Sequence, residues 1–257
     1  MKKVIILGSK PYAKIPDGDI IYSANGATAG NKIKIGNFSN HINVAHVYAL
    51  NKGLKKEKSK RLYNQKLKAI HESGFERLVL LTLPKNNSSI KNLKNYFTDT
   101  HRKGIEVVSF YNQRIIVRKI GMCGYPIINK YFFHQKPKYI INDGLRIVKA
   151  LLSWKFGKGY IDVYSAYRPS TGILALLIAI NENGPSSQYI LSGIGIKNRN
   201  QFLINDEIHL NNIKTKNSSI EHSYADAILL RNLRERFNLQ TTEKELSHIL
   251  PRYRHRN

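Results

Sequence analysis

Apolar residues in this chain gather into short dense runs separated by polar stretches. Residues 2–8, KKVIILG, carry a β-branched run stopped by glycine, which predicts a buried strand. Residues 18–27 hold a second run, IIYSA, again leading into a glycine-bearing turn, and VAHVYAL at 44–50 is a weaker third strand candidate. The stretch 51–74 predicts a helix, with Leu62, Leu67 and Ile70 as a sparse apolar face and Gly74 as its stop. A clear buried strand follows at 77–84 (RLVLLTLP), then a helix at 88–104 and a strand at 105–111. Residues 112–139 mix apolar and basic positions with turn signals and give no firm period.

Further on, 142–159 predicts a helix with Asp143 near its start and Gly157 near its end, and 160–166 a strand. Residues 169–184 predict a helix apolar enough to be buried, with Pro169 in the first turn and Gly184 after its end. A core strand is predicted at 187–196. The next 25 residues are rich in Asn, Lys, Ser and Ile without a period and predict a mobile excursion; a helix follows from about Ser223 to Phe237. Near-continuous apolar strands alternating with helices predict an α/β fold: one domain over 1–257, with a mostly parallel sheet covered on both faces.

Forty-two Lys and Arg against 17 Asp and Glu give +25, a field that attracts nucleic acid, an anionic membrane face or phosphorylated glycolipid. Residues 52–68 alone hold eight Lys or Arg and one Glu, and 252–257 reads RYRHRN. There is no zinc-finger spacing, convincing helix-turn-helix pair or RNA-stacking motif, so a membrane patch accounts for the charge at least as well as nucleic acid. The single cysteine, Cys123, excludes an intramolecular disulfide and a Cys-based zinc site and suits a reducing cytoplasm. The N-terminal apolar run is too short for a signal peptide, and no run approaches the ~20 residues needed to span a bilayer, so membrane contact is expected to be peripheral. The nine histidines are scattered, with no His-x-x-x-His pair, and no Asp-x-Asp follows a strand.

Ligands of open α/β sheets sit beyond the carboxyl ends of the strands. Three loops fall there: GSKP at 8–11, SANGA at 23–27 and RPSTG at 168–172, each with small residues and backbone N–H groups suited to a phosphate. None is a dinucleotide fingerprint or a P-loop. His222, just before the 223–237 helix, is a surface residue, an oddity of the helix's N-terminal turn or a general base, for which an unperturbed pKa near 6.5 is apt. Asp226, one turn on, would either orient that imidazole or simply favour the helix dipole.

Three stretches in order, MKKVIILGSKP, RPSTGILALLIAI with YILSGIGI, and EHSYADAILLRNL, resemble the bacterial sialyltransferases that use CMP-sialic acid and the related transferases of CMP-activated ulosonic acids such as Kdo. The resemblance implies a single Rossmann-like domain, a GT-A-like variant, with a flexible lid at about 197–219. It implies that Gly8 and Ser9 lie by the nucleotide and that Asn25 contacts the cytidine or ribose. Ser170, Thr171 and Gly172 would hold the phosphate or donor carboxylate, Arg168 would stand close to the site, and Gly193 would let the backbone approach CMP. His222 would deprotonate the acceptor hydroxyl. Against the family pattern, the first-loop asparagine is Ser9, the next glycine is Lys10 and the strand-end aspartate is Gly195. The leaving-group tyrosines have no counterpart in KNRNQFLIND, where Lys197 or Arg199 could act instead.

The expected activity is transfer of sialic acid or Kdo from its CMP donor to a lipopolysaccharide, lipooligosaccharide or related surface glycan. The CMP-sugar is then a substrate, no cofactor or metal is required, and the acceptor is an anionic glycolipid. The expected location is cytoplasmic, peripheral on the anionic cytoplasmic face of the inner membrane, as a monomer or homo-oligomer. Stereochemistry stays open: His222 alone would invert, whereas a double displacement needs a carboxylate, with Asp143, Asp162, Asp206 and Glu207 unranked. No nucleic acid partner is expected. The alternative, a basic α/β nucleic-acid-binding protein or nuclease, rests on charge alone and lacks an acidic metal cluster.

Overall fold

The computed structural model describes residues 1–10, 13–27, 38–54, 67–71, 75–82, 87–97, 104–125, 127, 168–195 and 223–254, with 137, 140–141, 144–145 and 148 as isolated positions. Seven strands form one sheet: β1 (Lys3–Leu7), β2 (Ile20–Ala24), β3 (Asn40–His46), β4 (Arg77–Leu81), β5 (Ile105–Val108), β6 (Gln188–Ser192) and β7 (Asn238–Thr241). Their order is β5-β4-β3-β2-β1-β6-β7 and every pairing is parallel. The fold is therefore Rossmann-like α/β, and the strand order reverses beside β1, between β2 on one side and β6 on the other.

Helices cover both faces, which is why the inner strands are apolar on both sides. On one face lies α4 (Thr171–Asn183), fully buried from Gly172 to Ile180 and packed across β1, β2 and β3. Outside it sit α3 (Phe110–Gly121) and α5 (Ser223–Arg234), so close that a Cβ on Gly121 would lie 2.4 Å from Leu229 Cδ2. On the other face α1 (Val47–Leu54) and α2 (Asn87–Phe97) pack Leu50, Leu93 and Phe97 onto Ala45, Leu78 and Leu80.

The tail of α4 is pinned at the amino edge of the sheet. Tyr22 Oη donates to Glu182 at 2.6 Å and accepts from Asn183 Nδ2 at 3.0 Å, while Arg77 pairs with both Glu182 and Glu106. Burial, and then Glu182, hold the Tyr22 phenol well above its ordinary value. Since α4 runs antiparallel to the strands, pinning its tail fixes its first turn at the carboxyl edge.

Two local expectations are corrected, and two elements, α3 and β7, had no counterpart among them. The third strand begins at Asn40, and its continuation from Val47 is helix, because VYALNKGL turns an apolar face to the neighbouring helix. The strand expected at 105–111 ends at Val108, where Ser109 caps α3 by accepting the Asn112 N–H at 3.1 Å. That helix was not legible because its buried stripe is narrow and includes Gln113 and Gly121, among exposed basic residues. β7 was missed as well: NLQT offers one fully apolar side chain, Leu239. Of the helix expected at 142–159, residues 144, 145 and 148 are described and are helical; the rest of it, the strand expected at 160–166 and the excursion at 197–219 lie outside the described residues.

Candidate functional site

The strand order reverses at β1, and the crevice in which open α/β sheets usually take a ligand is expected outside the carboxyl ends of β1 and β6. Two glycines set its floor. Gly8 N–H donates to Ser192 O at 2.8 Å, and Lys10 N–H donates to Gly193 O at 3.0 Å. A Cβ on Gly8 would stand 2.2 Å from Gly193 O; one on Gly193, whose φ is +65°, would stand 2.8 Å from Gly8 O. Each glycine is thus required by the other's backbone.

Ile194 links this pair to the start of α4: its Cγ1 lies 2.7 Å from a Cβ built on Gly8, and its Cδ1 3.4 Å from one built on Gly172. The structure therefore brings Gly8, Gly193 and Gly172 around one side chain. Ser170 is the N-cap, its Oγ accepting the Ile173 N–H at 3.4 Å. Its own N–H donates to Asp226 Oδ1 at 2.8 Å, so the fully buried Asp226 ties the first turn of α5 to the first turn of α4. His222, immediately before α5, lies outside the described residues.

Three further side chains at this edge are half-buried and make no hydrogen bond among the described residues: Ser9 after β1, Asn25 after β2 and Thr171 at the start of α4. Asn25 is held in a left-handed turn (φ 54°) by its N–H to Val44 O at 3.0 Å. Arg168 is half-buried near Tyr125. Burial pushes the Tyr125 phenol up to about 12, and the charges of Arg168 and Arg114 partly oppose that rise.

Sequence reasoning missed one component. Glu243, buried after β7, accepts Gly193 N–H on Oε1 at 2.8 Å and the Lys10 ammonium on Oε2 at 2.7 Å; Glu245 is 3.8 Å from the same ammonium. Burial pulls the Lys10 pKa down, but the Glu243 and Glu245 carboxylates outweigh it and leave it raised. Gly193 N–H is thereby engaged by a carboxylate. The only available signal, Thr-Thr-Glu after a strand, vanished with β7.

A second polar pair is buried in the sheet: Ser23 Oγ and His41 Nε2 are 2.9 Å apart. Burial pushes His41 down to about 4, with Glu76 opposing. Both side chains are sealed from solvent, so the pair belongs to the core. Among the described residues no three His, Cys, Asp or Glu side chains gather as a metal-binding group, and no helix is long and apolar enough to cross a membrane. Compared with protein-family models, curated proteins and solved structures, the chain matches none of them.

Proposed function

We propose that this protein is a glycosyltransferase that moves an acidic sugar, sialic acid or Kdo, from its CMP donor to a lipopolysaccharide-type acceptor. The observation that carries this reading is the grouping of residues at the strand-order reversal. Gly8, Gly172 and Gly193 converge there around Ile194, and the Ser9, Asn25 and Thr171 side chains are uncommitted among the described residues. These are residues that the family resemblance assigns to the nucleotide. Backbone N–H groups at a helix start, with small polar side chains beside them, suit a phosphate.

In the proposed reaction the acceptor hydroxyl oxygen bonds to the anomeric carbon as that carbon's bond to the phosphate oxygen breaks. The electron pair of the broken bond leaves with CMP, and the hydroxyl proton passes to the His222 imidazole. Positive charge builds at a carbon bearing a carboxylate, and negative charge builds on the phosphate. Arg168, with Lys197 or Arg199, supplies the electrostatic stabilisation, whereas Lys10 is committed to Glu243 and Glu245. The proposal assigns no metal to the step. The net charge of +25 supports an acidic, membrane-anchored acceptor and peripheral binding at the cytoplasmic face of the inner membrane.

The test is thermal shift with CMP and with a short DNA duplex in EDTA, followed by transfer from CMP-sialic acid and CMP-Kdo to a lipooligosaccharide read by mass spectrometry. Stabilisation by CMP with transfer of one sugar is expected. Stabilisation by DNA alone would replace this reading with a nucleic-acid one.

A further inference from the structure

Alternation along β1, β6 and β7 sorts their side chains between the two sheet faces. Val4, Ile6, Tyr189, Leu191 and Leu239 enter the core with α4. Lys3, Gln188 and Gln240 take the opposite face, where Lys3 pairs in register with Gln188, and Gln240 with Ile190. Further toward the carboxyl edge that face becomes apolar, with Ile5, Leu7 and Ile190 against Tyr253. Lys3 and Gln188 at its amino end, and Gln240 beside Ile190, stand where a covering helix would require apolar residues.

Above this polar floor lies a cavity of about 580 Å³ whose lining also includes Arg252, Tyr253 and Arg254. That segment is fixed by its backbone: Thr241 N–H donates to Pro251 O at 3.0 Å and Tyr253 N–H to Thr241 O at 2.8 Å, giving a parallel bridge between Thr241 and Arg252. Tyr253 is anchored in the core cluster and the two arginines flank it, exposed. Among the described residues none of Lys3, Arg252 and Arg254 has a carboxylate within ion-pair distance, although Asp17 also lines the cavity. Like charges held close repel, and an anion relieves that cost. Two guanidinium forks match phosphate oxygens, and the glutamine amides add neutral donors. The volume lies in the range of small-ligand sites, which run roughly 300–1,000 Å³, with room for more than one phosphate.

We propose that this cavity is a binding site for a multiply phosphorylated anion, carried on a lipid headgroup or on a free phosphate ester. Its floor starts at the amino edge of the sheet, where Lys3 and Gln188 open the strands that Gly8 and Gly193 follow, and its arginines begin level with Thr241, the last residue of β7. Lys3 stands a strand of five residues, about 15 Å at the usual rise, from Gly8, and no residue of the cavity lining belongs to the proposed donor site. The site therefore stands independently of the transferase reading.

The test is titration of the full chain with sodium triphosphate in ~0.15 M salt, where long-range attraction is screened. Three proteins are compared: wild type, Arg252→Gln/Arg254→Gln, and Arg118→Gln/Lys119→Gln, which removes the same charge from the exposed side of α3. The first variant should bind roughly tenfold more weakly, as expected for loss of charge-assisted hydrogen bonds, and the second as wild type. The side-chain amide resonances of Gln188 and Gln240 should shift in wild type. Equal loss in both variants, unmoved glutamine resonances or no binding at all would overturn the proposal. Sedimentation with phosphatidylglycerol vesicles separates the sources. Vesicle binding lost with the arginines places the phosphate on a lipid, and vesicle binding retained while triphosphate affinity falls places it on a soluble ester.

Discussion

Substituting Gly8 by alanine should be among the most damaging single-methyl additions to this protein. The new Cβ would fall 2.2 Å from Gly193 O, 2.7 Å from Gly193 C and 2.7 Å from Ile194 Cγ1. Two of those neighbours are backbone, so no rotamer change relieves the contact; the β1 loop must move about 1 Å away from the end of β6 to restore ordinary separation. That movement strains two hydrogen bonds, Gly8 N–H to Ser192 O and Lys10 N–H to Gly193 O. At about 1 kcal/mol for each bond and roughly 1–3 kcal/mol for overpacking, the loss is about 3–5 kcal/mol. A domain's whole stability is roughly 5–15 kcal/mol, so the effect is large. Gly172 provides the contrast. Its Cβ would meet Ile194 Cδ1 at 3.4 Å, an ordinary contact, and as the second residue of α4 it gains helix propensity. Gly172→Ala should be neutral or stabilising by up to about 1 kcal/mol. Urea unfolding at neutral pH measures both. Equal effects for the two variants, or a Gly8→Ala loss below about 0.5 kcal/mol, would refute the claim that two backbones meet at this edge.

Two other consequences can be measured in the same way. Asp226→Ala removes the acceptor of the Ser170 N–H from a buried position and should cost about 1–3 kcal/mol; urea unfolding that matches wild type would show that α4 and α5 are not tied there. His41 is neutral in the folded protein, with its pKa lowered to about 4, so the unfolded chain takes up the proton first on acidification. Its contribution is intact above pH 6.5 and is lost as pH falls toward 4, by roughly 3 kcal/mol. Unfolding curves of wild type and His41→Gln between pH 7 and 4 should therefore converge at the acidic end, and parallel curves would remove His41 as the cause.

What could be read from the sequence follows from how much apolar surface each element buries. β1, β2, β4 and β6 are almost wholly buried and stand out in the sequence as short apolar runs; the buried body of α4 does the same. β7 at the sheet edge and α3 with its narrow stripe bury too little to leave a pattern. At the site, Gly8, Ser9, Asn25 and Ser170 to Gly172 were legible because they follow strong strands or start a strong helix. Lys10 with Glu243 was not, since the pair joins residues 233 positions apart and one partner follows a strand that leaves no signal. Asp226 was noticed, but its acceptance of a hydrogen bond from Ser170 is a tertiary fact that no local spacing encodes.

Transfer from a CMP donor tests the central claim most directly. Purified wild type and His222→Ala would be incubated in EDTA with CMP-sialic acid or CMP-Kdo and lipooligosaccharide, with CMP release and the acceptor's mass read together. Wild type should release CMP and add one acidic sugar to the acceptor. The variant should bind CMP with unchanged affinity and transfer nothing. Wild type that neither binds CMP nor transfers either sugar would contradict the account, and turnover retained in His222→Ala would remove the proposed base.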